Sequence, residues 1–592
     1  MTLPALLGEL YPQAATKIIE HLKPYLENPA KPLPHQTDPD WYKSIQLYVT
    51  YPESFSDERQ ADFLTLADNL PYIRQLGCNA IHVLPFFKSP LMDQGFDISD
   101  FTKVRDNLGG NEAMKYFLEK TVNEKINVFI DLVLNHTSDQ IEWFQAAQNG
   151  DEHFRDFYIN VDKKPILLKK WENDLGLWAQ YKLDDQTISA RIIFPDDALE
   201  LPHWREGDDG RWYYHTFYPS QPDLNWNNPD VFLTLIDILI FWARKGVNFR
   251  LDAVPFIGKQ VELGIIESTN RTHLLVQAFH KILEQAAPHT AFLVEACQPI
   301  EVTKAYFGNG SVEAEFAYNF RLMQSLWASL ISSNHDYIWK SLSATADKPP
   351  WAQWITFVRN HDELTLEFAE ANERLLIYEG LKGNGLPFRA GFGLAGRTSS
   401  FFKDEPRKAL TAYFLLASLP GVPAIVYGDE LGKGNDLNYM HSKTKLRNTI
   451  TQEALLNKKS KSGNGHHSNG KLTDDARDAN RGVISYMDRN HPSALQLYLK
   501  FSDIFRTRKR FKSMATQIPE RIYEVERDIF AARYDLGNNH LEVYVNLGDE
   551  PYMQRVNPLS INELSINYAF LNDDRVTLPP HSGIWIRMPK DS

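Results

Sequence analysis

Phe249-Arg250-Leu251-Asp252-Ala253-Val254 is a short apolar run that closes on a carboxylate, with an arginine two residues ahead of it. Four other stretches carry polar residues in the same way: Gln94-Gly95-Phe96-Asp97, Asp131-Leu-Val-Leu-Asn135-His136, Phe292-Leu-Val-Glu295-Ala296 and Phe357-Val-Arg-Asn-His361-Asp362. One carboxylate at the end of a buried strand carries little information. Four of them (Asp131, Asp252, Glu295 and Asp362) imply strands whose C-terminal ends converge on one pocket, the arrangement of a (β/α)8 barrel.

Strand patterns at 45–49, 80–84, 128–134, 249–254, 292–294, 315–318, 354–358 and 424–427 alternate with helical ones, such as a helix at 58–76. Short apolar strands separated by helices pair in parallel. The rival is a doubly wound sheet, which places ligands at one crevice and does not gather residues from many strand ends. The expected fold class is α/β, a TIM barrel with an inserted subdomain after the third strand and a C-terminal antiparallel β-domain. The expected organisation is a helical extension at 1–40, a barrel from 41–136 and 223–510, a subdomain at 137–222 and a β-domain at 515–592. Ile18, Ile19, Leu22 and Leu26 share one helical face in the extension, and Pro29, Pro32 and Pro34 follow it. The polar tract at 457–470 lacks the apolar residues of a core and reads as a loop, with solvated His466 and His467.

A net charge of −13 disfavours nucleic acid and anionic membrane as partners. No apolar run approaches the roughly 18 residues of a membrane span. Only Cys78 and Cys297 are present, too few for a disulfide framework, and no basic, apolar leader opens the chain. A cytoplasmic protein without cofactor is the expectation. Aromatic residues are 12% of the chain, and some of them suit stacking on sugar rings.

Asp252 and Glu295 end consecutive strands, and neighbouring strands lie about 4.8 Å apart. Retaining glycoside hydrolysis needs two carboxyl groups about 5–5.5 Å apart, one to attack the anomeric carbon and one to protonate the leaving oxygen. Arg250 points to the same side as Asp252 by strand alternation. Glu295 sits among Leu293, Val294 and Ala296, surroundings that suit a general acid.

These stretches resemble the four signature regions of the α-amylase family, glycoside hydrolase family 13, over about residues 41–435. Within it, Ala190-Arg-Ile-Ile-Phe194, Gln221-Pro-Asp-Leu-Asn225 and Asn360-His-Asp-Glu-Leu-Thr-Leu-Glu367 are similar to the trehalose synthase branch. The resemblance implies Asp252 as nucleophile, Glu295 as acid/base and Asp362 as a third carboxylate on the ring hydroxyls. It implies substrate contacts from His136, His361, Arg250 and Asp97, and stacking from Phe96 where the family usually has Tyr. The segment Asp475-Ala-Arg477-Asp478-Ala-Asn-Arg481 resembles a loop of sucrose-active relatives, and by that likeness Arg477 pairs with Asp97, a surface charge cluster being the alternative reading. The loop at 51–59 lacks the Asp/Asn-rich calcium motif of the branch, so no metal is expected there. The implied activity is hydrolysis or transfer on short α-glucosides, with maltose–trehalose interconversion first. A hydrolytic α-glucosidase or α-amylase, a sucrose-active glucosyltransferase and a non-catalytic carbohydrate-binding scaffold are the alternatives.

Overall fold

The computed structural model describes residues 1–590 except 37, 57–60, 174, 185, 195, 197–198, 262–263, 265 and 460–473, and omits the side chains of 390 and 450–459. Eight parallel strands close a barrel: β1 (Leu47–Thr50), β2 (Ala80–Val83), β3 (Asn127–Val133), β4 (Val247–Asp252), β5 (Phe292–Val294), β6 (Phe316–Tyr318), β7 (Gln353–Phe357) and β8 (Val422–Val426). Each pairs with its sequence neighbours, and β8 closes on β1 through Leu47↔Ala424. Every residue of the eight strands is buried, from the barrel interior on one side and the helix layer on the other.

The register sets the height of each functional side chain. Arg250 lies opposite Asp131 and Asp252 opposite Val133, while Leu251 pairs with Val294. Asp252 is therefore the last residue of β4, and Glu295 follows the last residue of β5 at nearly the same level. Asp131 sits two residues lower, inside β3. Ala253 takes a left-handed backbone (φ 49°) directly after Asp252, which ends the strand. That conformation is uncommon for a residue with a side chain and marks a constrained turn at the barrel mouth.

Between β3 and β4 the chain forms two small antiparallel sheets. One joins Ile166–Asn173, Gly176–Leu183 and Gln186–Arg191; the other joins Asn160–Val161, Trp204–Glu206 and Trp212–Tyr214. Tyr181, Ile188, Trp204 and Tyr214 belong to an apolar cluster separate from that of the barrel. After the barrel, Ile529–Asp535, Asn539–Asn546 and Ser582–Pro589 are adjacent strands in a five-stranded antiparallel sheet, and a three-stranded sheet accompanies it. Helices Leu3–Leu10 and Ala15–Glu27 precede the barrel, with Ile18 and Leu22 fully buried.

The helical pattern at 58–76 is two helices, Phe63–Asp68 and Leu70–Leu76. Pro71 lacks an amide donor, so the second helix starts anew around it. Of the polar tract at 457–470, residues 457–459 end a helix (Leu437–Lys459), and 460–470, with His466 and His467, lie outside the described residues. Positions 57–59 of the first loop also lie outside them. Among the described residues no helix is long and apolar enough to cross a membrane.

Candidate active site

The barrel mouth encloses a cavity of about 140 Å³ lined on one side by Asp252, Glu295, Asp362 and His136. Its centre of charge is Arg250. This guanidinium donates from Nη1 to Asp131 (2.6 Å) and to Asp252, and its Nη2 forms an ion pair with Glu295 at 2.6 Å. Two carboxyl groups at the cavity wall thus hang on neighbouring nitrogens of one rigid fork. Glu295 also accepts the amide N–H of Ala253 at 3.2 Å, so the left-handed turn after Asp252 orients the neighbouring carboxyl.

Burial pushes the Asp252 carboxyl upward; Arg250 opposes this, while Glu295, Asp131 and Asp362 add to it. Asp362 behaves oppositely. Burial would raise it, but His361, then Arg481 and Arg477, hold it well below the usual carboxylate range. Arg481 donates to Asp362 at 2.5 Å. Burial lowers His136 to about 4 and His361 to about 3, so both imidazoles are neutral at pH 7 and able to donate or accept hydrogen bonds.

Phe96 lines the cavity, stacks on His361 with ring centres 5.7 Å apart, and has Arg250 over its other surroundings at 5.6 Å. Arg250 and His361 are buried below the cavity and absent from its lining. The polar groups of both face the carboxylates. Asp131 is likewise buried beneath the site between Arg250 and His82.

Asp97 is a further correction. It is fully buried, accepts the Ser89 hydroxyl (2.7 Å) and the Met92 amide (2.8 Å), and holds its own loop together. Asp93 lines the cavity in its place. Gln94 (φ 51°) and Gly95 (φ 101°) reverse the chain between the two carboxylates, so they face opposite ways. A Cβ on Gly95 would lie 3.0 Å from Pro85 Cβ, which leaves little room for another residue. Arg477 does not pair with Asp97. It donates to Asp475 (2.8 Å) and Tyr218 (3.1 Å) and stands 3.6 Å from both Asp93 and Asp362. Asn480 donates to the Asp362 carbonyl at 3.0 Å, which ties this loop to the end of β7.

The opposite wall was not foreseen. Arg191 grips Glu267 with two nitrogens (2.9 and 2.8 Å) and reaches Glu367 at 3.3 Å, and Arg389 donates to Glu367. Glu363 lies beside it, 3.8 Å from Arg389. Burial pushes the Glu363 carboxyl up to about 7, Arg477 opposing and Asp362 adding to it. A folded-state carboxyl raised above its unfolded value of 4.5 binds protons preferentially in the folded state. Its stabilising contribution is therefore present at low pH and lost as pH rises toward about 7. Glu363→Gln is expected to flatten the fall in melting temperature between pH 5 and 7 (about the window set by linkage). Parallel melting curves for variant and wild type would refute it.

Lys259 anchors the inserted segment to the barrel. It is buried, 2.8 Å from Asp223, and also donates to Asn135 and the Phe256 carbonyl. Lys259→Met leaves Asp223 charged and buried, with only the Thr216 and Asn135 donors. A loss of about 3 kcal/mol is expected in urea unfolding. A variant within 0.5 kcal/mol (about the scatter of neutral surface changes) would show the pair to be dispensable.

Residues 49–373 match the alpha-amylase catalytic domain model. The chain is 34% identical over 429 residues to the trehalose synthase/amylase TreS of Mycolicibacterium smegmatis, covering 71% of this chain and 68% of that one. It is 35% identical over 405 residues to the trehalose synthase of Thermus thermophilus, but spans only 39% of that longer protein. Among solved structures, a trehalulose synthase MutB mutant superposes with a TM-score of 0.68 over 93% of this chain and all of that one, at 20% identity. With a catalytic-domain match across the barrel and relatives above 30% identity, the chain belongs to the alpha-amylase family.

Proposed function

We propose that the protein is a retaining glucosyl-transferring enzyme that interconverts maltose and trehalose through a covalent glucosyl-enzyme. The observation that carries this reading is the Arg250 fork, which holds Asp252 and Glu295 side by side at the wall of the cavity. Asp252 attacks the anomeric carbon, and Glu295 gives its proton to the leaving oxygen. The covalent bond to Asp252 forms as the glycosidic bond breaks. Glu295, now charged, takes a proton from the incoming hydroxyl as that oxygen displaces Asp252. Asp362, fixed as a carboxylate by Arg481, accepts hydrogen bonds from the ring hydroxyls as positive charge develops. Asp93 and His136 bind the same ring, and Phe96 supplies an apolar wall for it.

Retention of released glucose against the wall of Arg191, Glu363 and Arg389 would let it rotate and attack through a different hydroxyl, which distinguishes isomerisation from hydrolysis. The similarity to trehalose synthases supports this choice. The test is NMR analysis of products from maltose, trehalose, sucrose and soluble starch incubated separately. Trehalose from maltose, and the reverse, with little free glucose is the expected result. Glucose as the sole product would make it a hydrolase. Turnover of sucrose alone would move it to the sucrose-active enzymes, and inertness toward all four substrates would remove the catalytic reading.

A further inference from the structure

His82 lies on β2, fully buried, below the loop that carries Asp93 and Phe96 to the cavity. Its Nε2 is 2.9 Å from Asp131 Oδ2, and its Nδ1 is 3.4 Å from the Tyr318 hydroxyl. Asp131 uses its other oxygen, Oδ1, to accept from Arg250 Nη1. That same nitrogen donates to Asp252. One nitrogen of Arg250, with its two N–H bonds, thus serves both Asp131 and Asp252, and His82 is the second partner of Asp131.

We propose that His82 is a positioning residue for the nucleophile: by donating to Asp131 it moderates the hold of Asp131 on Arg250 and leaves the Arg250 Nη1 bond to Asp252 in place. The physics is that of a shared donor in a water-free site. A carboxylate with one hydrogen bond withdrawn turns more of its charge on the remaining partner, and a buried carboxylate left short of donors is costly. Without His82, Asp131 draws Arg250 downward, and Asp252 loses both its orientation and part of the Arg250 field that opposes its upward shift. Burial raises the Tyr318 phenol above its ordinary value, so it stays a neutral donor. The hydrogen-bond chain then runs Tyr318 O–H to His82 Nδ1, His82 Nε2–H to Asp131, and Arg250 to Asp131 and Asp252, with Glu295 ion-paired to Arg250. This arrangement puts the donated hydrogen on His82 Nε2 and leaves Nδ1 as the acceptor. The other titratable group acting on Asp131 is His361, itself neutral at pH 7.

The inference rests on Asp252 as nucleophile, so wild-type turnover of an α-glucoside is established first; its absence would defeat the functional reading and not this one. His82→Leu is then expected to lower kcat on the order of a hundredfold, with KM nearly unchanged, since His82 is absent from the cavity lining. The acid limb of the kcat/KM profile should move to higher pH, because a less supported Asp252 is protonated more easily. His82→Gln, whose amide can donate to Asp131, should recover most of kcat. A leucine variant with wild-type kcat and acid limb, or a glutamine variant no better than a folded leucine variant, would overturn the proposal. Nitrogen-15 NMR of histidine-labelled wild-type protein tests it even if the leucine variant does not fold. The expected signal is an Nε2-protonated imidazole; an Nδ1-protonated ring at position 82 would overturn the proposal on its own.

Discussion

Asp252→Asn is expected to lose on the order of 10⁴- to 10⁶-fold in turnover of any α-glucoside, the scale seen when a catalytic nucleophile is removed, while the protein remains folded. The structure explains why the two effects separate. Asp252 shares Arg250 with Asp131 and Glu295, so the guanidinium stays paired when one carboxylate becomes an amide. The asparagine oxygen can still accept from Arg250. The substitution also removes one of several carboxylates crowded around a single cation, which relieves the repulsion that burial intensifies. An amide oxygen is nonetheless a poor nucleophile, and the glucosyl-enzyme does not form. The measurement is turnover of the best substrate from the product survey, alongside thermal unfolding. Residual activity of a tenth with an unchanged melting temperature would remove Asp252 from the mechanism.

The fold was legible because barrel strands are buried on both faces, so each reads as an unbroken apolar run, and because a carboxylate after such a run is costly unless it serves the mouth. Asp252, Glu295 and Asp362 came out of that pattern alone, at the ends of β4, β5 and β7. The pattern failed at Asp131, whose position inside β3 makes it a floor residue. The family likeness named Asp97 where Asp93 lines the cavity, since a local reversal at Gln94 and Gly95 decides which of two nearby carboxylates faces inward. Backbone reversals of this kind are weakly encoded; a Gln-Gly pair permits a left-handed turn and does not demand one. The far wall was the least legible part. Arg191 arrives from the inserted sheet, Glu267 from the loop after β4, and Glu363, Glu367 and Arg389 from the segment after β7. They meet only through tertiary contact, so no spacing in the chain announces them. Lys259 and Asp223 are a similar case, being 36 residues apart in sequence and 2.8 Å apart in space.

Glu295→Gln is expected to separate the two halves of the reaction. With an ordinary α-glucoside the leaving oxygen needs a proton in the transition state, and the amide has none of suitable acidity; a loss of about 10²- to 10⁴-fold follows from removing a general acid. With α-glucosyl fluoride the leaving group departs without a proton, so formation of the glucosyl-enzyme should proceed near the wild-type rate. The second step still requires a base at this position to deprotonate the acceptor. The intermediate therefore accumulates, and intact-protein mass should rise by one glucosyl unit located on Asp252. The fold should tolerate the change less well than Asp252→Asn. Glu295 pairs with Arg250 through one oxygen and accepts the Ala253 N–H through the other, and a glutamine must turn its NH₂ toward one of those groups. A cost of about 1–2 kcal/mol is expected from that lost bond, visible in unfolding and independent of catalysis. If both donors lost rate equally and no adduct formed in a folded variant, Glu295 would be a binding group and the proton would have to come from another carboxyl, with Glu363, buried in the same cavity and held up to about 7 by that burial, the next to test.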